Sequence, residues 1–365
     1  MRIAQVAPLY ESVPPKFYGG TERVVSYLTE ELVREGHEVT LFASGDSVTA
    51  ARLVAPCLKA LRLDTECVDK MAHHILLLEH VFSSASEFDI IHFHVDYMHF
   101  PLTRRLGIRA LTTLHGRLDL PDLVPLYYEY SDMPVVSISD AQRAPLKQAR
   151  WAGTVYHGLP PNLYSFNPHP EGYFAFIGRI SPEKRIDIAI DIAIRLGVPL
   201  KIAAKVDPAD RVYFATQIEP LLDHPLIEYI GEISEVDKNT FLGNARALLF
   251  TVDWPEPFGL AMIEALACGT PVIALRRGSI PEIIEDGVTG FVADGPDAAL
   301  GAAERVGELD RAECRAAFER RFTCERMAHD YLEIYTALAR PRTRALSIVP
   351  PLTDAPVLQA AQSLG

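Results

Sequence analysis

Two glutamates near residue 260 have the type and spacing needed to hold a polyhydroxyl ligand. Glu256 and Glu264 flank a Pro-Phe-Gly turn, with Glu256 in a loop and Glu264 in the helix that follows. The free backbone N–H groups at Gly259 and Leu260 carry partial positive charge and suit a diphosphate. The alternative is a capped surface helix with solvated acids. The turn and the following Cys-Gly-Thr-Pro (268–271) favour the ligand site.

A second segment supplies positive charge. Arg179 and Lys184 lie between a predicted strand and the next helix. Arginine forms forked contacts with phosphate oxygens, and lysine adds a mobile point charge, so the pair suits a departing diphosphate. A solvated basic turn is the alternative. Lys205, at the end of another strand, is either one more phosphate contact or a surface lysine.

Gly19 and Gly20 stand between the first strand and the first long helix, where backbone amides could approach a phosphate or a sugar. We expect Thr21 to cap that helix. The segment contains neither G-x-G-x-x-G nor a phosphate-binding P-loop pattern, which argues against a dinucleotide-dependent dehydrogenase.

Histidines follow two other predicted strands. His92, His94 and Asp96 share one side of an extended segment, where they could bind a metal or line a cleft, and we favour the cleft. His115 ends the next strand. It could hydrogen-bond a substrate hydroxyl, act as a base, or be a histidine satisfied by its neighbours.

Continuous apolar runs alternating with amphipathic helices predict parallel sheets covered on both faces. The expected strands are Arg2–Ala7, Val39–Ala43, Ile90–His94, Ala110–Leu114, Val135–Ser139, Phe174–Ile177, Leu200–Ala204, Ile227–Ile230, Ala247–Thr251, Val272–Ala274 and Phe291–Ala293. The expected helices are Thr21–Arg34, Lys184–Arg195, Val236–Asn244, Gly259–Ala267, Asp297–Val306 and Cys324–Ala339.

The length of 365 residues fits two domains, and the proline-rich stretch 160–172 marks their boundary. The net charge of −13 argues against nonspecific nucleic-acid binding. Five cysteines without a CxxC pair, and no apolar signal segment, point to the cytoplasm. No run is long enough to cross a membrane, so any membrane contact is expected to be peripheral.

The motifs together resemble the family 4 retaining glycosyltransferases, which have the GT-B fold. The resemblance rests on Gly-Gly-Thr-Glu-Arg (19–23), Gly-His-Glu-Val-Thr-Leu-Phe (36–42), Gly-Arg-Ile-Ser-Pro-Glu-Lys (178–184), Glu-Pro-Phe-Gly-x4-Glu-Ala (256–265) and Ala-Cys-Gly-Thr-Pro-Val (267–272). It implies two Rossmann-like, doubly wound α/β domains facing each other across a deep cleft, with a C-terminal helix crossing back. We place the acceptor-binding domain at 1–165, the donor domain at 166–325, the crossover helix at 326–340 and a proline-rich tail at 341–365.

The resemblance also implies roles for individual residues. Arg179 and Lys184 would hold the donor diphosphate, Glu264 the ribose hydroxyls, and Glu256 the donor sugar, with His115 near the reacting centre. The remaining donor contacts would come from Gly19, Gly20, Lys205, Ile233, Phe258, Gly259, Leu260 and Ala261. The candidates on the acceptor side are Tyr18, His94, Asp96 and Tyr97.

The implied reaction moves a hexose from a nucleoside diphosphate sugar to a hydroxyl of a small-molecule or carbohydrate acceptor by same-face attack. It needs no metal and no other cofactor. UDP-glucose is the first donor guess and GDP-mannose the second, and the enzyme is expected as a monomer or homodimer. The alternatives are a sugar phosphorylase, a nucleotide-sugar epimerase or hydrolase on the same fold, and a non-catalytic sugar-binding partner.

Overall fold

Apolar strands alternate with helices throughout the chain and form one parallel sheet in each half. The computed structural model describes residues 1–16 and 19–339. Tyr18 and the tail 341–365 lie outside the described residues.

The first sheet has seven strands, all paired in parallel. They are β1 (Arg2–Val6), β2 (Glu38–Phe42), β3 (Arg52–Val54), β4 (Ile90–Phe93), β5 (Ala110–Thr113), β6 (Pro134–Ser137) and β7 (Arg150–Thr154). The helices of this half are α1 (Gly20–Arg34), α2 (Lys70–Ser83), α3 (Phe100–Leu106), α4 (Leu123–Glu129) and α5 (Asp140–Arg143). The strand order is β3-β2-β1-β4-β5-β6-β7.

The second sheet has six parallel strands. They are β8 (Tyr173–Arg179), β9 (Leu200–Lys205), β10 (Ile227–Gly231), β11 (Ala245–Phe250), β12 (Val272–Leu275) and β13 (Gly290–Ala293). Its helices are α6 (Ile186–Leu196), α7 (Arg211–Tyr213), α8 (Glu235–Gly243), α9 (Leu260–Ala267), α10 (Ile280–Ile283), α11 (Pro296–Arg305) and α12 (Arg311–Arg321), and a π-helical turn (Phe214–Ile218) follows α7. The strand order is β10-β9-β8-β11-β12-β13.

In both sheets the strand order reverses once, between β1 and β4 in the first and between β8 and β11 in the second. Loops on either side of such a reversal leave in opposite directions and open a crevice beyond the carboxyl ends of the strands. The segments that carry the candidate site residues follow these central strands or their neighbours. The topology therefore brings the motifs to one edge of each sheet.

The last described helix, α13 (Cys324–Ala339), returns to the first domain. Its buried residues, including Met327 and Tyr331, share a core cluster with Ile3 and Leu28 of that domain. A Cβ on Gly158 would lie 2.1 Å from the carbonyl oxygen of Thr323. Only glycine fits where the two connections between the domains cross.

The predicted alternation of strands and helices is confirmed, with differences at weakly patterned segments. We did not predict β3 and β7, because β3 has three residues and β7 is only half-buried. The helix α2 was also missed. The expectation that Thr21 caps α1 is wrong, because the helix starts at Gly20 and its cap position, Gly19, has no side chain.

Two helix starts that differ from prediction concern the candidate site. A 3-10 turn (Pro182–Lys184) precedes α6, so Lys184 is not in the α-helix. Gly259 precedes α9 rather than opening it. Among the described residues, the structure contains no helix with the length and apolar character that crossing a bilayer would require.

Candidate active site

A cavity of about 740 Å³ lies between the carboxyl ends of the two sheets. It brings together most of the residues that the sequence suggested. The predicted residues on its wall are Gly19, Gly20, His94, Asp96, Tyr97, His115, Lys184, Lys205, Ile233, Glu256, Phe258, Gly259, Leu260, Ala261 and Glu264. Their roles stay predictions.

The N-terminus of α9 opens onto this cavity. Gly259 stands at the cap position with φ +86°, and a Cβ there would lie 2.7 Å from Met262 and 3.0 Å from Phe250. Glycine therefore fits this position both in conformation and in space. No side chain caps the helix. The partial positive charge of its first turn is thus left for a ligand.

Glu256 is held by two donors. The Lys184 ammonium lies 2.7 Å from its Oε2, and the indole N–H of Trp254 donates to the same oxygen at 2.8 Å. The Glu256 side chain is 11% exposed and that of Lys184 is 17% exposed. Such a largely buried pair is stabilised by mutual neutralisation and by the direct hydrogen bond between the two groups.

Lys184 reaches the cavity because its turn is tied to the end of β11. The hydroxyl of Thr251 donates to the carbonyl oxygens of Lys184 and Arg185, at 3.1 and 2.9 Å. Arg185 adopts the left-handed conformation with φ +47°. This sharp reversal separates the 3-10 turn from α6 and leaves Lys184 on the cavity side.

Glu264 has a different cation. Its Oε1 lies 3.0 Å from the ammonium of Lys238, which is also 3.4 Å from Glu235. Arg23 of the first domain forms an ion pair with the same Glu235. An ionic network therefore joins the two domains across the cavity. Our sequence reasoning missed Arg23, Glu235 and Lys238, because each looked like an ordinary charge on a helix surface.

Arg179 is placed differently from Lys184 and is not on the cavity wall. Its guanidinium contacts Glu183, Asp207 at 3.5 Å and Asp210 at 3.6 Å. Lys205 does line the cavity but is paired with Asp207 at 3.0 Å. Arg179 is thus paired with three carboxylates that do not line the cavity, and its contact with a diphosphate stays a prediction.

Imidazoles form the centre of the first-domain wall. His94 Nδ1 lies 2.8 Å from His115 Nε2, and His94 Nε2 lies 2.9 Å from Gln5 Oε1. His92 is bonded to Tyr335 at 2.6 Å and to Thr113 at 2.7 Å. Both imidazoles thus use their ring nitrogens for contacts within the protein, which favours the cleft-lining role over the metal-binding one.

Burial keeps these histidines neutral. It lowers the pKa of His115 to about 3 and holds the pKa values of His92, His94 and His157 well below 6.5. For the last three, neighbouring histidines add to the effect, because a second positive charge nearby would be unfavourable. The ring of His157 stacks on His115 with centroids 5.4 Å apart.

Asp96 provides the acidic group of this wall. It has φ +50°, a conformation that aspartate tolerates better than most residues, and it is exposed to the cavity. The protein on its other sides withdraws the carboxyl group from bulk water and raises its pKa to about 6. Tyr97 beside it is also exposed on the wall.

One cluster within the described ranges has the geometry of a metal site. It consists of Glu31, Cys324 and Glu325. None of the three lines the cavity, and Glu31 is already paired with Arg34. We assign it no role in the site.

Two facing parallel sheets, a returning helix and an anion-ready helix N-terminus in the cleft together define the class of GT-B glycosyltransferases. Residues 165–316 match the family described as glycosyl transferases group 1, and residues 18–156 match glycosyltransferase family 4. The two matches span both domains. The chain therefore belongs to the glycosyltransferases that these two family descriptions cover together.

Curated relatives share part of the sequence. The D-inositol 3-phosphate glycosyltransferase of Mycolicibacterium smegmatis is 33% identical over 156 residues, which is 40% of this chain and 34% of that protein. The enzyme of the same name from Salinispora tropica is 32% identical over 193 residues, which is 47% of this chain and 39% of that protein. The matches thus span little more than a third of these relatives.

Solved structures share the fold over nearly the whole chain. AviGT4, a glycosyltransferase involved in avilamycin A biosynthesis, has a TM-score of 0.69 at 23% identity and covers 93% of this chain and 98% of its own. Sucrose-phosphate synthase from Thermosynechococcus elongatus has a TM-score of 0.75 at 18% identity, with 92% and 98% covered. Anabaena HepE, solved with UDP and glucose, has a TM-score of 0.71 at 18% identity, with 92% and 100% covered.

Proposed function

We propose that this glycosyltransferase moves a hexose from a nucleoside diphosphate sugar to a hydroxyl of a small-molecule or carbohydrate acceptor, with retention and without a bound metal. The observation that carries the proposal is the pairing of Glu256 with Lys184 and of Glu264 with Lys238 around the uncapped start of α9. Two carboxylates, two ammonium groups and a helix N-terminus match the hydroxyls and phosphates of such a donor.

The donor would lie along the second-domain wall. Its diphosphate would meet the N–H groups of Leu260 and Ala261 and the ammonium of Lys184, while Glu264 would accept hydrogen bonds from the ribose. Gly20 faces the same region from the first domain, and a Cβ at this position would lie 3.5 Å from the Leu260 side chain.

Catalysis would follow from charge placement rather than from an enzymic nucleophile. As the bond from the anomeric carbon to the phosphate oxygen breaks, negative charge grows on the diphosphate, where Lys184 and the α9 dipole stabilise it. The acceptor oxygen would attack from the same face, and the departing phosphate would take its proton. Glu256 would orient the donor sugar through its hydroxyls, without forming a covalent intermediate.

The acceptor would lie against the first-domain wall. Asp96, with a pKa of about 6, is mainly ionised at neutral pH and can accept a hydrogen bond from an acceptor hydroxyl. Tyr97 offers an aromatic face for a sugar ring. Holding this hydroxyl beside the anomeric carbon removes much of the entropic cost of the reaction.

UDP-glucose is our first choice of donor and GDP-mannose the second. The HepE structures with UDP and with UDP-glucose support the first choice only through the shared fold. The curated relatives are named for D-inositol 3-phosphate, so a phosphorylated cyclitol belongs in the acceptor panel beside neutral sugars.

The decisive experiment is calorimetry of the whole chain against UDP, GDP, ADP and their sugar conjugates, with and without EDTA. We expect selective binding of one nucleotide that EDTA does not change. Glu264→Gln should weaken that binding about tenfold, by loss of a charged hydrogen bond. The control is Glu228→Gln, because Glu228 is an exposed acid on β10 outside the cavity.

The bound donor then allows the reaction to be tested. Acceptor sugars are added, and NMR of the product reports the anomeric configuration, which should match that of the donor. Phosphate-dependent turnover would instead indicate a phosphorylase, and free sugar or an epimerised nucleotide sugar would indicate the other enzymes of this fold. Absence of any nucleotide binding would contradict the proposal.

A further inference from the structure

A continuous hydrogen-bonded chain connects the crossover helix to the cavity. The Tyr335 hydroxyl on α13 lies 3.0 Å from Gln5 Nε2 on β1, and Gln5 Oε1 lies 2.9 Å from His94 Nε2. His94 Nδ1 then lies 2.8 Å from Nε2 of His115, which is on the cavity wall. Gln5, His94 and Tyr335 are all buried.

Each member of this chain determines the hydrogen position of the next. An amide oxygen can only accept a hydrogen bond. Because Gln5 Oε1 faces Nε2 of His94, that nitrogen must donate, and His94 therefore carries its hydrogen on Nε2. Because buried His94 is neutral, its Nδ1 is a lone pair and must accept from His115 Nε2–H. Neutral His115 is then left with a bare Nδ1.

His115 Nδ1 is the end of the chain. It is enclosed and has no hydrogen-bond partner among the described residues. An enclosed polar atom without a partner is uncommon, because it loses its hydrogen bonds to water and gains none within the protein. Since the His115 ring lies on the cavity wall, this nitrogen marks the place where a substrate hydroxyl that displaces the enclosing contacts can complete the network.

We propose that Gln5 and Tyr335 are positioning residues that hold His115 in the tautomer whose bare Nδ1 accepts a hydrogen bond from a sugar hydroxyl. The identity of that hydroxyl rests on the proposed transferase function, whereas the tautomer does not. Gln5 and Tyr335 act only through His94 and His115.

The far side of Tyr335 is compatible with this arrangement. Having accepted from Gln5, the tyrosine donates to His92 Nδ1 at 2.6 Å, and His92 Nε2–H donates to Thr113 at 2.7 Å. A reversed Gln5 amide would also satisfy the chain, but it would place the hydrogen on His115 Nδ1 and present a donor to the substrate. The two arrangements differ at one atom that can be observed.

Nitrogen NMR of the full chain, isotopically labelled at its histidine nitrogens and without substrate, shows directly which ring nitrogen of His115 carries the hydrogen. His115 is assigned by its loss in His115→Asn. We expect a protonated Nε2 and a bare Nδ1 in the unmodified protein. A hydrogen on Nδ1 would overturn the proposal whatever any variant does.

Tyr335→Phe tests the role of the hydroxyl. Without its acceptor, the Gln5 amide should turn so that its N–H group donates to His94, because a buried donor without a partner costs more than a buried carbonyl. His115 should then carry its hydrogen on Nδ1, and kcat should fall about tenfold with the donor KM unchanged.

Tyr331→Phe is the matched control. Tyr331 lies one turn earlier on the same helix, and its hydroxyl bonds to Thr113, outside the path from Tyr335 to His115. It should keep the original tautomer and kcat. The proposal fails if Tyr335→Phe keeps the original tautomer, or if Tyr331→Phe inverts it as well.

Gln5→Met covers the case in which Tyr335→Phe does not fold. It cuts the chain at its centre with little change in volume, and it should convert His115 to a mixture of both tautomers. A single unchanged tautomer would overturn the proposal. If all tautomers behave as expected but no sugar is transferred, the proposed function fails and the positioning role stands.

Discussion

The two walls of the cavity stabilise their buried polar groups in different ways. The second-domain wall uses full charges in pairs, Lys184 with Glu256 and Lys238 with Glu264. The centre of the first-domain wall uses neutral imidazoles that hydrogen-bond to one another and to Gln5. One wall is therefore suited to a ligand whose charge changes during reaction, and the other to fixed hydrogen-bond directions.

The difference has an energetic origin. Paired charges that are largely buried are stabilised only while each keeps a partner, so a bound diphosphate can replace a carboxylate as the partner of Lys184. Neutral imidazoles need no counter-charge, but each must keep one hydrogen and one lone pair in the right place. The first wall therefore depends on tautomers, and the second depends on charge.

The largest expected effect is loss of stability in acid. Desolvation holds the pKa values of five histidines far below 6.5: His92, His94, His99, His115 and His157. Below the unfolded value near 6.5, the unfolded chain binds protons that the native state excludes, so the free energy of unfolding falls as pH falls. Each contributes about 1 kcal/mol between pH 6.5 and 5.5.

Urea unfolding at several pH values measures this effect. The loss should continue toward pH 3, where His115 itself titrates in the fold. A free energy of unfolding that stays constant from pH 7 to pH 5.5 would mean that the first wall is charged, and the contrast between the walls would disappear.

The next effect concerns Lys184. Lys184→Ala should lower kcat/KM by about 10²- to 10³-fold, because the developing diphosphate charge loses its nearest ammonium group. Initial rates with the donor identified by calorimetry measure it. Lys201→Ala is the control, because Lys201 lies on β9 outside the cavity, 4.0 Å from Glu228. Similar losses in both variants would remove the assigned role of Lys184.

A smaller effect concerns the contact that holds the walls together. The carboxylate of Glu282 in the second domain accepts from the backbone N–H groups of Asp140 and Ala141 in the first, both at 2.7 Å. Tyr156 donates to the same carboxylate at 3.0 Å. Glu282→Ala should weaken domain closure by about 1–3 kcal/mol, because it strands these donors.

Small-angle scattering and thermal unfolding test this contact. Glu282→Ala should enlarge the radius of gyration and lower the melting temperature. Glu285→Ala serves as control, because Glu285 pairs with Arg321 inside the second domain and should leave the domain arrangement unchanged. Equal scattering curves for both variants would argue against an interdomain role for Glu282.

The smallest effect concerns Asp96. Its folded pKa of about 6 lies above the unfolded value, so the native state binds the extra proton and ionisation costs stability as pH rises from 4 to 6. Asp96→Asn removes this cost and should be more stable than the parent above pH 6, by less than about 1 kcal/mol because the group faces solvent. Denaturation at pH 4 and pH 8 measures it, and a gain at pH 4 only would contradict it.

The local features of the site could be predicted because neighbours along the chain produce them. The turn that carries Glu256, Gly259 and Glu264 depends on consecutive residues, and so does the uncapped start of α9. Parallel sheets follow from apolar runs alternating with helices, and they bring strand ends to a common edge. These parts needed no knowledge of distant contacts.

Side-chain contacts between residues far apart in the sequence could not be predicted. Gln5 and Tyr335 are 330 positions apart and meet only because α13 returns to the first sheet. Arg23 reaches Glu235 from the other domain. Sequence patterns do not encode such pairs, since many acids and bases are equally available before the domains are placed.

Local propensity and hydrophobic patterning act along the chain, so they were sufficient to predict the two α/β domains, the family and the loops that form the cavity. Which charges face the cavity depends on how the two domains pack. Arg179 and Lys184 share one motif, yet Arg179 is paired with three carboxylates that do not line the cavity and Lys184 is paired with Glu256 on its wall. The physical reason is that a flexible cation goes to the acids nearest in space, and their positions are set only once both sheets are packed.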